Sequence, residues 1–163
     1  ESSMHAPLLS VFGGKLTTYR KLAEAAMDQL KPFFKHMKKE WTASALLPGA
    51  EQFNTVDELR LQIQQQVKGM SEATATRWAH AYGCRVMQFL KHSNSIHELG
   101  QDFGHGLFAQ EVDYLVDQEW AITSEDILKR RSKLYLDFNQ DEIQVLETYL
   151  HTLHERRLRL NVA

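Results

Sequence analysis

Apolar positions recur at three- and four-residue intervals along most of this chain, a spacing that predicts helices. From Thr55 onward, Val56, Leu59, Ile63 and Val67 fall on one face, and Thr55 with Glu58 has the spacing of a capping box. Ser71 is placed to cap a second helix through Ala75, Trp78, Ala79 and Tyr82, which Gly83 stops. A shorter helix over Val86–Leu90 follows, and then a glycine-bearing loop over residues 93–106 with one helical turn near Ile96–Leu99. Residues 107–120 resume a helix through Phe108, Val112, Leu115 and Val116. Thr123 with Asp126 caps a short helix holding Ile127, Leu128 and Arg131. Asn139 with Glu142 then starts a long terminal helix whose stripe is Ile143, Leu146, Leu150 and Leu153, running to about Leu160. The expected fold class is mainly α, with about six helices.

The opening of the chain breaks that pattern. Pro7-Leu8-Leu9-Ser10-Val11-Phe12 is a short apolar run that ends at Gly13-Gly14, which predicts a buried strand and a tight turn. Lys15 and Leu16 follow, Thr17 or Thr18 is available as a cap, and Tyr19, Leu22, Ala23, Ala26, Met27 and Leu30 give a helix one apolar face until Pro32. A strand of this length needs a neighbour to bury anything, and no second strand is evident. Residues 41–54 read as a loop, with Leu47-Pro48-Gly49-Ala50 its clearest turn. The expected division is therefore 1–40, a strand–Gly-Gly–helix segment from a larger domain, and 41–163, an all-helical domain.

Composition narrows the class. The 163 residues are 43% hydrophobic and 25% charged, with a net charge of -2, which suits a globular protein and gives no broad basic field for nucleic acid. A single cysteine, Cys84, excludes an intrachain disulfide and favours a reducing compartment. No apolar run approaches the roughly 20 residues that span a bilayer, and residues 1–7 lack the pattern of a signal peptide. A cytoplasmic setting is expected.

Candidate chemistry concentrates at the first turn. Strand, glycine turn and helix start together hold anions, because free N–H groups and the positive helix end converge. Lys15 adds a mobile cation there. The nucleotide P-loop pattern is not met, since Leu9 stands where its first glycine belongs and Leu16 follows the lysine, and a third glycine for a dinucleotide fingerprint is missing. A plain connecting turn is the simpler reading of the spacing alone. Elsewhere, His151 and His154 lie three apart beside Glu147 and Glu155, without a third ligand to make a metal site. Cys84 with His80 or His92 lacks the orienting acid and oxyanion hole of a nucleophile pair. The basic clusters Lys129-Arg130-Arg131-Ser132-Lys133 and Arg156-Arg157-Leu158-Arg159 suit helix C-termini and carboxylate partners, with an anionic membrane surface or, less favoured, nucleic acid as the alternatives. Trp41, Trp78 and Trp120 are expected to be core or interdomain anchors.

The run from Leu8 to Glu24, LLSVFGGKLTTYRKLAE, resembles the last FAD-contacting segment of aerobic, FAD-dependent glycerol-3-phosphate dehydrogenases. Further matches follow in that family's order: Trp41 before Leu47-Pro48-Gly49, Tyr82-Gly83, Asp102-Phe103-Gly104-His105, and Glu119-Trp120-Ala121 leading to Asp126-Ile127-Leu128 and Arg130-Arg131. Ala50 and Ser132 depart from the usual glycine and threonine. The resemblance implies that Gly13, Gly14, Leu16 and Thr17 contact FAD and that Lys15 binds glycerol 3-phosphate, with no catalytic residue and no metal ligand in this stretch. It also implies FAD and substrate domains elsewhere in the same polypeptide as partners, quinone as electron acceptor, compatibility with a homodimer, and a peripheral position on the cytoplasmic face of the inner membrane. Oxygen-using glycerophosphate oxidases lie within the same resemblance. Alone, the chain is expected to be inactive and to hold no FAD, because the pyrophosphate-binding glycine motif and the substrate arginines are absent. The rival reading is a non-enzymatic helical interaction module, for which an orphan apolar strand and glycine turn would have no use.

Overall fold

Helices dominate because the sequence supplies both their stripes and their caps. The computed structural model describes residues 8–160, with the side chain of Leu160 outside that description. The helices are α1 (Tyr19–Leu30), α2 (Val56–Gln66), α3 (Glu72–Tyr82), α4 (Val86–Leu90), α5 (Ala109–Gln118) and α6 (Gln140–Leu160). Short 3-10 turns and one π-turn over Asp126–Arg131 join them. Two isolated bridges, Lys68 with Ser95 and Asp102 with Phe108, are the β pairing among the described residues. The chain divides between Leu46 and Leu47 into two units.

In the first unit the expected strand does not form. Residues 8–15 take no regular structure, and Leu8, Val11 and Phe12 are exposed. Pro7 lies outside the described residues. The reason is the one that made the strand an orphan: backbone donors and acceptors in an extended run need a second strand, and the described residues provide none. Neither threonine caps α1 as expected. A 3-10 turn over Leu16–Thr18 leads in, and the Thr18 hydroxyl donates to the Lys15 carbonyl at 3.3 Å. Pro32 sits in the 3-10 turn that follows α1, as its position required. Glu24 gathers Arg20, Lys21 and the Thr42 hydroxyl, and those hydrogen bonds, Thr42's foremost, pull its carboxyl down to about 2.

The second unit carries the core. The Thr55 hydroxyl accepts from the Glu58 N–H at 3.1 Å, while the Glu58 carboxylate takes the N–H of Asn54 at 3.0 Å, one residue earlier than a reciprocal box would place it. Ser71 accepts from Thr74 N–H at 3.1 Å. Asn139 and Glu142 form the full reciprocal cap, at 3.0 and 2.9 Å. α2 and α3 pack together through Leu59, Ile63, Ala75 and Trp78, all at most 1% exposed. Trp78, Tyr82, Phe89, Phe108 and Tyr114 meet edge-on or tilted, with ring centres 5.1–6.2 Å apart. α5 begins at Ala109, two residues later than the apolar pattern suggests, because Phe103 donates to Leu107 O and Ala109 to Gln101 O in the preceding loop. α6 docks through Leu146 and Leu150, an edge contact of Tyr149 with Phe103, and a 2.8 Å bond from the Tyr149 hydroxyl to Asp113.

The sharpest backbone constraint in this unit lies where α3 ends. Gly83 has φ +55 and lies directly against the Leu47–Ala50 turn: a Cβ there would stand 1.9 Å from the Gly49 carbonyl oxygen. That same oxygen accepts the N–H of Cys84 at 2.8 Å.

Candidate functional site

Three places hold unusual chemistry. The first is the turn singled out from sequence. Gly13 has φ +77 and Gly14 φ +141, both in the region that favours glycine. Among the described residues nothing beyond its chain neighbours lies within 4 Å of where a Cβ on Gly13 would stand, which leaves the backbone open on that side. The N–H groups of residues 13–17 donate to no acceptor among the described residues. Lys15 is extended, with φ -100 and ψ 142, and exposed, while Leu16 and Thr17 enter the 3-10 turn. Phe12 is 93% and Leu16 89% exposed. With Phe12 beside them, the five expected site residues thus form one exposed patch of free donors, one cation and two apolar side chains, with Leu22 packed where a Cβ on Gly14 would stand.

The second place was not foreseen. Glu111, on α5, has no exposed surface. Its carboxylate accepts from both terminal nitrogens of Arg77, from the Trp78 indole N–H at 2.8 Å and from the Tyr82 hydroxyl. Arg77 also donates to Gly106 O at 2.8 Å, tying the glycine loop to α3. Burial, then the adjacent Glu111 charge, holds the Tyr82 hydroxyl well above its ordinary range. The set is closed by its own hydrogen bonds and leaves no room for a substrate, so it serves as a structural hub. The signal in sequence was a glutamate four residues before Leu115, on the buried stripe of its helix.

The third is the loop after α5. Trp120 takes φ +56, rare for a bulky side chain and costing on the order of 1–3 kcal/mol. It is 85% exposed, and Ile122 65%. The Glu119 carbonyl accepts from Arg131 at 3.1 and 2.7 Å. Asp126 accepts from the N–H groups of Ile122 and Thr123, both at 3.0 Å, and from Arg130 at 2.7 Å. Those bonds, the Thr123 backbone's first and Ile122's next, hold the Asp126 carboxyl far below the ordinary aspartate range. A depressed carboxyl stabilises the fold above its unfolded pKa, and that stabilisation is lost as pH falls through the folded value. Asp126→Asn is therefore expected to be less stable than the parent at pH 7. The two should converge as pH falls below about 4, measured by thermal melts across that range.

The remaining candidates resolve plainly. Cys84 donates to Glu51 at 3.2 Å instead of meeting His80 or His92, and desolvation, with Glu51 next, pushes the thiol up, against a nucleophile. His154 contacts Ile122 O at 3.0 Å and His151 lies 3.7 Å from Glu155. No group of three metal-ligating side chains is gathered among the described residues. Lys129 and Arg130 face Glu125, Arg131 faces Glu119, and Arg157 faces Asp117. Of the tryptophans, Trp78 is core, while Trp41 is 67% exposed.

The family profile for the C-terminal domain of alpha-glycerophosphate oxidase matches residues 40–157. This chain belongs to that family. Among its relatives, a glycerol-3-phosphate dehydrogenase of Pseudomonas aeruginosa is 49% identical over 96% of this chain, and the aerobic glycerol-3-phosphate dehydrogenase of Escherichia coli K12 is 37% identical over 95%. The chain spans 31% of the length of each. A D-erythritol 1-phosphate dehydrogenase of Brucella abortus is 40% identical over 84% of the chain, which spans 28% of it. The glycerophosphate oxidase C-terminal domain is thus a helical unit whose matched relatives are oxidoreductases named for polyol phosphates. No helix among the described residues is long and apolar enough to cross a membrane.

Proposed function

We propose that this chain works as the C-terminal part of an FAD-dependent glycerol-3-phosphate dehydrogenase, with residues 1–40 closing the FAD domain and 41–163 forming a helical domain beside it. The observation that carries the reading is near-full coverage of the chain by glycerol-3-phosphate dehydrogenases, together with an uncovered donor-rich turn at Gly13–Thr17. The residues present fit a flavin. Gly13 leaves open space where a side chain would stand, free N–H groups face outward, and Phe12 and Leu16 offer apolar cover.

Bound there, FAD would supply the hydride-accepting chemistry that converts sn-glycerol 3-phosphate to dihydroxyacetone phosphate, with quinone as the final acceptor. The chain's own residues act on charge and position. N–H donors of Gly13, Gly14, Leu16 and Thr17 would stabilise negative charge that grows on a polar ring edge. The Lys15 ammonium attracts and orients a phosphate dianion. In the full-length protein, Lys15→Ala is expected to raise KM and lower kcat, with kcat/KM falling about 10- to 100-fold. Wild-type kinetics in that variant would overturn the assignment.

The remaining features of this reading are that the partners are the FAD and substrate domains of the same polypeptide, and that the full protein sits peripherally on the cytoplasmic face of the inner membrane. The chain alone is expected to be colourless and inactive. A second substrate has specific support in the 40% identical D-erythritol 1-phosphate dehydrogenase. Comparing kcat/KM for the two polyol phosphates in the full-length protein decides between them.

A further inference from the structure

We infer that residues 119–123 are the tip by which the helical domain docks onto the remainder of its own polypeptide. The inference rests on the reading that this chain is one part of a longer flavoprotein dehydrogenase.

The loop is built to hold two large apolar side chains outward. Four of its backbone N–H groups, those of Glu119, Ala121, Ile122 and Thr123, donate, and the carbonyls of Glu119, Ile122 and Thr123 accept. Glu119 N–H and Ala121 N–H both donate to Leu115 O at 3.1 Å, and Glu119 O is held by Arg131. Asp126 takes the N–H groups of Ile122 and Thr123, His154 meets Ile122 O, and Ile127 N–H donates to Thr123 O at 3.2 Å. Ala121 is buried at 1% exposure between Trp120 at 85% and Ile122 at 65%. The alternation sets one small residue into the core and two large ones away from it. Left-handed backbone at Trp120 means that the local fold would be served better by glycine. The indole is therefore present for something other than this unit's own packing.

The surroundings select the occupant. Lys129 and Arg130 are matched by Glu125 and Asp126, and Arg131 by Glu119. A tip whose neighbouring charges are compensated has little pull on an anionic bilayer or a nucleic acid, both of which need net positive charge. A rigid aromatic and aliphatic pair inside a polar rim is instead the anatomy of a protein contact, in which tryptophan is among the enriched anchors. Because the matched stretch is only 31% of the glycerol-3-phosphate dehydrogenases' length, the partner available under this reading is the rest of the same polypeptide. Tethering keeps that partner at high effective concentration, so a two-residue anchor is enough.

Hydroxyl-radical footprinting, read at Trp120, tests this in two samples: this chain, and the full-length protein diluted until monomeric, without lipid. Trp78, buried in the core, is the internal control. Expected is oxidation of Trp120 roughly fivefold or more slower in the full-length protein, as for a desolvated anchor. Trp120→Gly should leave the melting temperature of this chain unchanged or higher, and should split one thermal transition of the full-length protein into two. Equal reactivity of Trp120 in a full-length protein that carries flavin and oxidises glycerol 3-phosphate overturns the inference and leaves the functional reading standing. Protection that grows with protein concentration, or that needs added vesicles, overturns it in favour of a second copy or a lipid surface. A full-length protein without flavin or activity brings down the reading on which the inference rests.

Discussion

Glu111→Ala is expected to destabilise the helical unit by about 3–5 kcal/mol, the usual result of removing one partner from a buried ion pair. The loss exceeds one salt bridge, because the carboxylate accepts from Arg77, Trp78 and Tyr82 at once. Without it the indole N–H and the phenol stay inside with no acceptor and the Arg77 guanidinium keeps only Gly106 O, and each unsatisfied group carries its own desolvation penalty. Domains are stable by only about 5–15 kcal/mol, so the variant sits near the threshold of folding. Thermal denaturation should show a midpoint lower by about 10 °C or more. Glu111→Gln keeps the shape but turns an NH2 donor toward groups that already donate, so it should recover only part of the loss. A midpoint within a degree or two of the parent for either variant would mean that the network carries no net stability.

The second large effect is expected at the end of α3. Gly83→Ala puts a methyl group 1.9 Å from the Gly49 carbonyl oxygen, an atom of the backbone that cannot rotate away. It also forces alanine to φ +55, ψ -144, a region essentially restricted to glycine and costing on the order of 1–3 kcal/mol by itself. The relaxation available is to lift the Leu47–Ala50 turn off the helix end, which breaks the bond from Cys84 N–H to Gly49 O. A total of about 3 kcal/mol or more is expected in chemical denaturation. Gly49→Ala meets the other side of the same crossing, 2.8 Å from the Tyr82 carbonyl oxygen. The double variant should therefore be less destabilised than the two single effects summed, since one displacement relieves both clashes.

What could be read from the sequence, and what could not, divides by the range of the interaction. Thr55, Ser71, Asn139 and the Thr123–Asp126 pair were legible as caps because a cap is settled by residues three positions apart. The stripes Leu59–Ile63 and Leu146–Leu150 were legible for the same reason. Residues 8–12 take no strand here because extended structure needs a partner chain segment, which local pattern cannot supply. Glu111 was invisible as a hub because its donors come from Arg77, Trp78 and Tyr82, about thirty positions earlier. The Asp126–Arg131 segment was legible as helical but not as a π-turn, whose i to i+5 bond runs from Ser132 N–H to Ile127 O, because apolar spacing does not distinguish the two ladders over so short a run. At the candidate flavin turn, the glycines and lysine stood out by residue type, whereas their exposure followed only from the surrounding backbone.

One consequence follows from the first unit, in which no described residue is buried. α1 has 12 residues, a length at which a helix in water is barely populated unless a neighbour covers its apolar side. Its amide hydrogens should therefore trade with deuterated solvent almost as fast as those of an open peptide, while α3 and α5 exchange slowly. Slowing on α1 in a longer protein would then act as a gauge: its size measures how firmly a covering surface has taken hold.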